Sequence, residues 1–229
     1  MISIILPTYN ESGNIIRLIN KIKLILKGQE YEIIVVDDAS PDGTYQLVKK
    51  NFSQKNNVKP YFRITDRGLA KSVLCGMEKS KGDILIVMDT DFNHNPTVLA
   101  EMLKYSTQYD LVVGSRYIVN GGMENRIRYL FSYLYNLAIR LTLGLKTHDN
   151  LSGFFMMKRS VFDKIQSKTI FYGYGDYFIR LLYYAYQKGL KIKEVPVFYS
   201  NRTQGVSKSK FLPMFVDYSK TVLDLLINK

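Results

Sequence analysis

One cysteine, Cys75, stands in the 229 residues, so no disulfide can form within the chain and a reducing, cytosolic setting is the simple inference. Histidine is almost as scarce. His94 and His148 lie far apart in sequence, which leaves little for a histidine-based metal site or a Ser-His-Asp triad to draw on. Tryptophan is absent, although 18 Tyr and 12 Phe tilt the composition toward aromatics. No Gly-x-Gly-x-x-Gly follows the first apolar run and no Gly-x-x-x-x-Gly-Lys-Ser/Thr occurs anywhere, so neither a hydride-transfer fingerprint nor a P-loop is supported. Long hydrophobic runs are missing as well: in the most apolar stretch, the uncharged segment Tyr129 to Ile139 is 11 residues, too short to span a bilayer. Met1 to Leu6 runs into an apolar strand with no basic segment ahead of it, and no signal peptide is expected.

What the chain has in excess is positive charge, and on one side only. The formal net charge is +12, yet residues 1–114 hold 14 Lys/Arg against 13 Asp/Glu while residues 115–229 hold 18 against 7. A neutral first half beside a basic second half points to an anionic partner for the second half: a phosphate, an anionic lipid or a nucleic acid. A basic solvated surface is the plainer explanation of the same numbers.

The apolar pattern of the first half alternates between short runs and helix-period segments. Ser3 to Leu6, Tyr31 to Val36, Val58 to Ile64, Ile84 to Met88 and Leu111 to Gly114 read as strands. Between them, helices are expected over residues 15–26, 44–51, 69–80 and 96–105. This alternation predicts an α/β fold with a mostly parallel sheet and flanking helices. Past residue 115 the alternation lapses. Residues 126–145 form an apolar, aromatic helix interrupted by Arg140, suited either to a membrane interface or to a core. Further helices are expected at 177–188 and 211–227, and Glu194 to Tyr199 reads as a strand whose Pro196 belongs near a sheet edge.

Three of the predicted strands end in acid: Glu11 follows the first, Asp37 and Asp38 the second, Asp89 and Asp91 the fourth. In a parallel sheet these ends gather along one edge, where open α/β sheets bind ligands. Residues i and i+2 of an extended chain point the same way, so Asp89 and Asp91 would face one spot. Two carboxylates there repel unless a cation neutralises them, and a hard divalent ion that also touches a diphosphate meets that need. A solvated turn with Asp as turn former and cap is the bland alternative.

Taken together, Pro7-Thr8-Tyr9-Asn10-Glu11, Val36-Asp37-Asp38-Ala39-Ser40-Pro41-Asp42-Gly43-Thr44, Met88-Asp89-Thr90-Asp91, Gly114-Ser115-Arg116-Tyr117, Ser152-Gly153-Phe154 and Arg202-x-x-Gly205-x-Ser207-Lys208 resemble an inverting family 2 glycosyltransferase. Within that family the six motifs, in this order from residue 2 to about 210, look most like the polyprenol (dolichol) phosphate mannose synthases. The resemblance implies a Rossmann-like, GT-A type nucleotide-sugar-binding sheet in residues 1–114. It implies an acceptor-binding half in 115–210 and a C-terminal amphipathic helix in 211–229, all within one domain.

The resemblance also implies roles. Pro7, Tyr9, Glu11 and Asp38 would hold the base and ribose of the nucleotide, and Asp89 and Asp91, with Asn93 beside them, would hold Mg2+ or Mn2+ against the donor diphosphate. Arg116, Arg128, Ser132 and Arg202 would grip the lipid phosphate, and Lys208 would serve donor or acceptor phosphate. The implied reaction transfers mannose from GDP-mannose to a polyprenol phosphate at the cytoplasmic face of a membrane, with inversion and with no strong general base. Donor and acceptor stay open between this reading and a UDP-glucose-dependent enzyme, or one with a polysaccharide or glycolipid acceptor. Many relatives continue into transmembrane helices, so docking through the aromatic helices or through a separate membrane subunit is expected here. A Gln-x-Glu-type segment common in relatives is replaced by Gly175-Asp176-Tyr177. A non-catalytic basic module is the reading from another class; the acidic strand ends oppose nucleic acid as its ligand.

Overall fold

The computed structural model describes residues 1–52, 57–165, 167–200 and 211–227. The first half alternates as its pattern requires: β1 (Ile2–Thr8), α1 (Ile15–Ile25), β2 (Tyr31–Asp37), α2 (Thr44–Phe52), β3 (Val58–Phe62), α3 (Leu69–Lys79), β4 (Ile84–Val87), α4 (Val98–Lys104) and β5 (Leu111–Ser115). The second half supplies β6 (Gly122–Met123), α5 (Arg126–Leu143), β7 (Phe155–Lys158), α6 (Arg159–Phe162), α7 (Ser167–Ile170), α8 (Tyr177–Gln187), β8 (Ile192–Pro196), β9 (Phe198–Tyr199) and α9 (Phe211–Ile227).

Seven of these strands form one sheet in the order β3-β2-β1-β4-β7-β5-β8. β1 is an inner strand, parallel to β2 on one side and to the central β4 on the other, with Ile5 opposite both Ile34 and Val87. β7 is the exception: it runs antiparallel to both β4 and β5 and separates them. The mostly parallel sheet is therefore as expected, but the apolar run Phe155 to Met157 enters its middle, which composition alone could not direct. β6 and β9 form a small parallel pair of their own. The expected single strand Glu194 to Tyr199 is two, broken after Pro196: β8 is the edge of the main sheet, where a residue without an N–H is tolerated.

Both faces of the sheet are covered, and period-2 alternation divides the side chains between them. Ile4, Leu6, Ile33, Val35 and Ile86 pack against Ile15, Leu18, Ile19 and Ile22 of α1 and Leu99 and Met102 of α4. Ile5, Leu85, Val87, Val113 and Phe155 pack the other way, against Val73 and Met77 of α3 and Phe178 and Leu182 of α8. A third cluster joins α5, α8 and α9 through Ile139, Leu143, Ile179, Tyr183, Tyr218 and Val222.

α5 starts at Asn125, whose Oδ1 accepts from Arg128 N at 2.9 Å, and stops at Gly144, which takes φ 68°. Its inward face is Asn136, Ile139 and Leu143, while Ile127, Leu130, Phe131, Leu134 and Leu141 are exposed. The helix thus has a core face and an apolar outer face together. Among the described residues no helix is long and apolar enough to cross a membrane.

Candidate active site

The loops after β1 and β2 are stitched to each other by backbone donors from the first and side-chain acceptors from the second. Asn10 N donates to Ser40 Oγ at 2.9 Å, Glu11 N to Thr44 Oγ1 at 2.9 Å and Ser12 N to Asp42 Oδ2 at 3.0 Å. Asp42 also accepts from Thr44 N and Oγ1. Burial opposes its charge, but these hydrogen bonds outweigh burial and hold Asp42 below the usual carboxylate range. Asp37 is spent internally, accepting from Ser40 N, Ser40 Oγ and Thr8 Oγ1. Its neighbour Asp38 turns outward. Gly68 N donates to Asp38 Oδ2 at 2.7 Å and Arg63 approaches Oδ1 at 3.0 Å as an ion pair.

These loops and the one after β4 enclose a cavity of about 530 Å³ at the carboxyl ends of β1, β2 and β4. Pro7, Tyr9, Glu11, Asp38, Asp89 and Asp91 all line it, so six residues expected in one site, drawn from three separate strand ends, meet there. Arg67, Gly68, Ser72 and Tyr174 line it too and were not foreseen. Arg67 carries its guanidinium 5.2 Å from the ring of Tyr9. Gly68 adopts φ 132°, a backbone state that side chains disfavour, and this lets its N–H reach Asp38.

The turn after β4 arranges the carboxylate pair. Met88 N still donates to Ile5 O, the last bond toward β1, and the chain then folds back through Phe92 at φ 64°. Asp91 is buried and accepts from Asn93 N at 3.0 Å and Asn93 Nδ2 at 2.9 Å, so Asn93 orients Asp91. The side chain of Asp89 is 45% exposed, and its backbone N–H donates to His94 Nδ1 at 2.8 Å. His94 is fully buried, stacked on Phe154 at 4.8 Å, with Nε2 2.7 Å from Tyr199 Oη. Burial pushes its pKa down to about 4, so the ring is neutral.

Arg116 does not line this cavity. It is buried, and its Nε and Nη2 donate to Asp149 Oδ2 and Oδ1, both at 2.7 Å. Burial opposes the charge, but Asp149 more than offsets it and keeps the guanidinium protonated. Asp149 is held in turn by its own N–H, which donates to Glu194 Oε1 at 3.1 Å. Arg128 and Ser132 sit on the first two turns of α5, Arg128 exposed and Ser132 half-buried. Arg202 and Lys208 lie outside the described residues. Asp176, standing where a Gln-x-Glu segment was looked for, is buried and paired with Arg180 at 2.7 Å.

The donor set fits a hard divalent cation that completes its coordination on a ligand. Among the described residues no group of three His, Cys, Asp or Glu could hold a metal by itself. Two carboxylates, with diphosphate oxygens and water for the rest, form the incomplete oxygen set Mg2+ or Mn2+ accepts. Among the described residues the lining holds four carboxylates and one arginine, a balance that a cation would offset for a bound diphosphate.

A doubly covered, mostly parallel sheet with an acidic cavity at its strand ends is the architecture of a GT-A type fold. The profile of the family described as "Glycosyl transferase family 2" matches residues 3–166, and the chain belongs to that family. It is 33% identical to the dolichol-phosphate mannosyltransferase of Pyrococcus furiosus over 98% of its own length, spanning 63% of that longer protein. It is 31% identical to the polyprenol monophosphomannose synthase of Mycolicibacterium smegmatis, covering 90% of this chain and 79% of the other. It is also 31% identical to the undecaprenyl-phosphate mannosyltransferase of Micrococcus luteus, covering 89% and 85%. Among solved structures, glucosyl-3-phosphoglycerate synthase from Mycobacterium tuberculosis, in complex with Mn2+, UDP and glucosyl-3-phosphoglycerate, superposes with a TM-score of 0.72. The match has 20% identity and covers 100% of this chain and 79% of that one.

Proposed function

We propose that the protein transfers mannose from GDP-mannose to the phosphate of a polyprenol phosphate, inverting the configuration at the anomeric carbon. The carrying observation is the convergence of Pro7, Tyr9, Glu11, Asp38, Asp89 and Asp91 on one cavity. The three mannosyltransferase relatives, at 31% to 33% identity, support the sugar and the class of acceptor.

In this reading Tyr9, Glu11 and Asp38 bind the nucleoside. Asp89 and Asp91, the latter oriented by Asn93, hold Mg2+ or Mn2+. When bound, that ion offsets the negative charge that builds on the departing nucleoside diphosphate. An acceptor phosphate oxygen forms the new bond to the anomeric carbon as the bond to the diphosphate oxygen breaks, and GDP leaves. The nucleophile is already an anion, so the side chains need to position it rather than deprotonate it. Arg116, Arg128, Ser132, Arg202 and Lys208 are assigned to phosphate. The Arg116 guanidinium is held in place by Asp149, whose charge it balances.

The exposed Ile127, Leu130, Phe131 and Leu134 of α5, with Phe215 and Leu223 of α9, suit peripheral attachment at the cytoplasmic face of a membrane, alone or with a separate membrane subunit. The test is transfer of radiolabelled sugar from GDP-mannose, and in parallel from UDP-glucose, to a short polyprenol phosphate, with Mg2+ or Mn2+ and with chelator. Chelator-sensitive product from GDP-mannose alone is the expected result. Product from UDP-glucose alone reassigns the donor.

A further inference from the structure

Asp89 follows Met88, whose N–H makes the last bond toward β1. The Asp89 N–H goes to His94 Nδ1 at 2.8 Å, five residues on. A backbone N–H can only donate, so Nδ1 accepts and a neutral His94 carries its proton on Nε2. Nε2 then donates to Tyr199 Oη at 2.7 Å, and the Tyr199 hydroxyl donates onward to Ser152 O at 3.1 Å, with Ser152 Oγ also 3.1 Å from Oη. Every polar group in this chain has one direction, and it runs from the carboxylate turn, through the core, to the Ser152-Gly153-Phe154 segment.

The ring is fixed on its faces as well. Phe154 stacks on it with an interplanar angle of 12°, and Tyr199 packs at 5.1 Å. Tyr199 continues the contact to the acceptor side, where the guanidinium of Arg116 lies 4.7 Å from its ring. His94 Nε2 also lies 3.6 Å from Asp89 Oδ2, near the carboxylate but beyond hydrogen-bond reach.

We propose that His94 is a positioning residue: through its hydrogen bond to the Asp89 backbone it sets where the Asp89 carboxylate stands, and through Tyr199 it ties that position to Arg116. The inference rests on the reading of Asp89 and Asp91 as the cation-holding pair. An apolar ring could fill the same space, but it would remove the acceptor that the Asp89 N–H uses and leave the turn less firmly held. Burial alone therefore does not account for an imidazole here. Orientation of a carboxylate pair from behind is a task with known leverage, because loss of such support costs about 10- to 100-fold in cation affinity.

Two isosteres separate positioning from filling. His94→Asn places an amide oxygen near the Nδ1 position and can still accept from Asp89 N, whereas His94→Gln reaches the Nε2 position and cannot. The readout is Mn2+ affinity measured by the electron paramagnetic resonance signal of free Mn2+ in the presence of GDP, alongside kcat and the KM for polyprenol phosphate. His94→Gln is expected to weaken Mn2+ binding about tenfold and lower kcat with the acceptor KM unchanged, and His94→Asn to recover most of both. Equal Mn2+ affinity in His94→Gln and the unaltered protein overturns the proposal, as does equal loss in both variants. If His94→Gln does not fold, Tyr199→Phe decides: a folded variant with unchanged Mn2+ affinity overturns the link. An unaltered protein that binds no Mn2+ with GDP present overturns the metal reading itself, and the proposal with it.

Discussion

Arg116 and Asp149 form a two-point ion pair sealed inside the protein, with Asp149 fully buried and Arg116 5% exposed. Such a pair gains little over apolar residues of equal volume, yet removing one partner leaves the other charge stranded. Asp149→Asn is therefore expected to lower stability by about 3–5 kcal/mol. Urea unfolding checks this, and a double variant Arg116→Met/Asp149→Leu is expected to lose less than the single one. A larger loss in the double variant would show that the pair stabilises the fold outright.

Asp91→Asn keeps an oxygen for Asn93 N but sets an amide against the Asn93 amide, at a cost of about 1 kcal/mol. Transfer is expected to fall roughly 100-fold or more, because the charge opposing the leaving diphosphate is no longer held. Full activity in a folded variant would remove Asp91 from the cation site.

Acid should weaken the fold through His94. In the unfolded chain it titrates near its ordinary 6.5, whereas burial pushes the folded value down to about 4. Between those values the unfolded state binds more protons, so stability is full above about pH 6.5 and declines as pH falls toward 4. The loss from pH 7.5 to pH 5 is on the order of 2 kcal/mol. Urea midpoints at the two pH values are expected to differ less in His94→Asn than in the unaltered protein. Identical differences would mean that other groups carry the acid sensitivity.

Gly175 sits against α9: a Cβ there would collide with Tyr218 Oη and stand 3.2 Å from its Cζ. Gly175→Ala is expected to cost about 1–3 kcal/mol through overpacking, and Tyr218→Phe in the same chain to restore most of it. A thermal-denaturation cycle over the two singles and the double measures the coupling. Additive effects would place the clash elsewhere.

Arg202→Ala, from the motif assigned to the acceptor phosphate, is expected to raise the KM for polyprenol phosphate more than that for GDP-mannose. Steady-state kinetics in both substrates checks this, and an equal loss in both removes Arg202 from the acceptor side.

The sequence made the first half readable for a physical reason. Strands buried on both faces are short apolar runs, and their acidic ends fall at one sheet edge whenever the strands are parallel, so Glu11, Asp38, Asp89 and Asp91 could be brought together before their distances were known. The direction of β7 was not readable, because Phe155-Met156-Met157 has the same composition whichever way it runs. Nor was the partner of Arg116, which lies 33 residues away in a loop without periodicity. The Asp176–Arg180 pair did leave a mark, an acid four residues before a base at a helix start. His94 left only its spacing from Asp89. A lone histidine in a polar loop carries no pattern, and its role rests on Phe154 and Tyr199, which come from distant parts of the chain.

β7 also sets the order in which the molecule can be completed. The edge of β4 away from β1 is covered by Phe155–Lys158, some seventy residues further along, so a growing chain that has made every cavity-lining residue up to Asp91 still presents an open, apolar strand edge. Fragments that end before residue 155 would be sticky as well as inactive, and the nascent protein is most exposed to misassociation during that interval of synthesis.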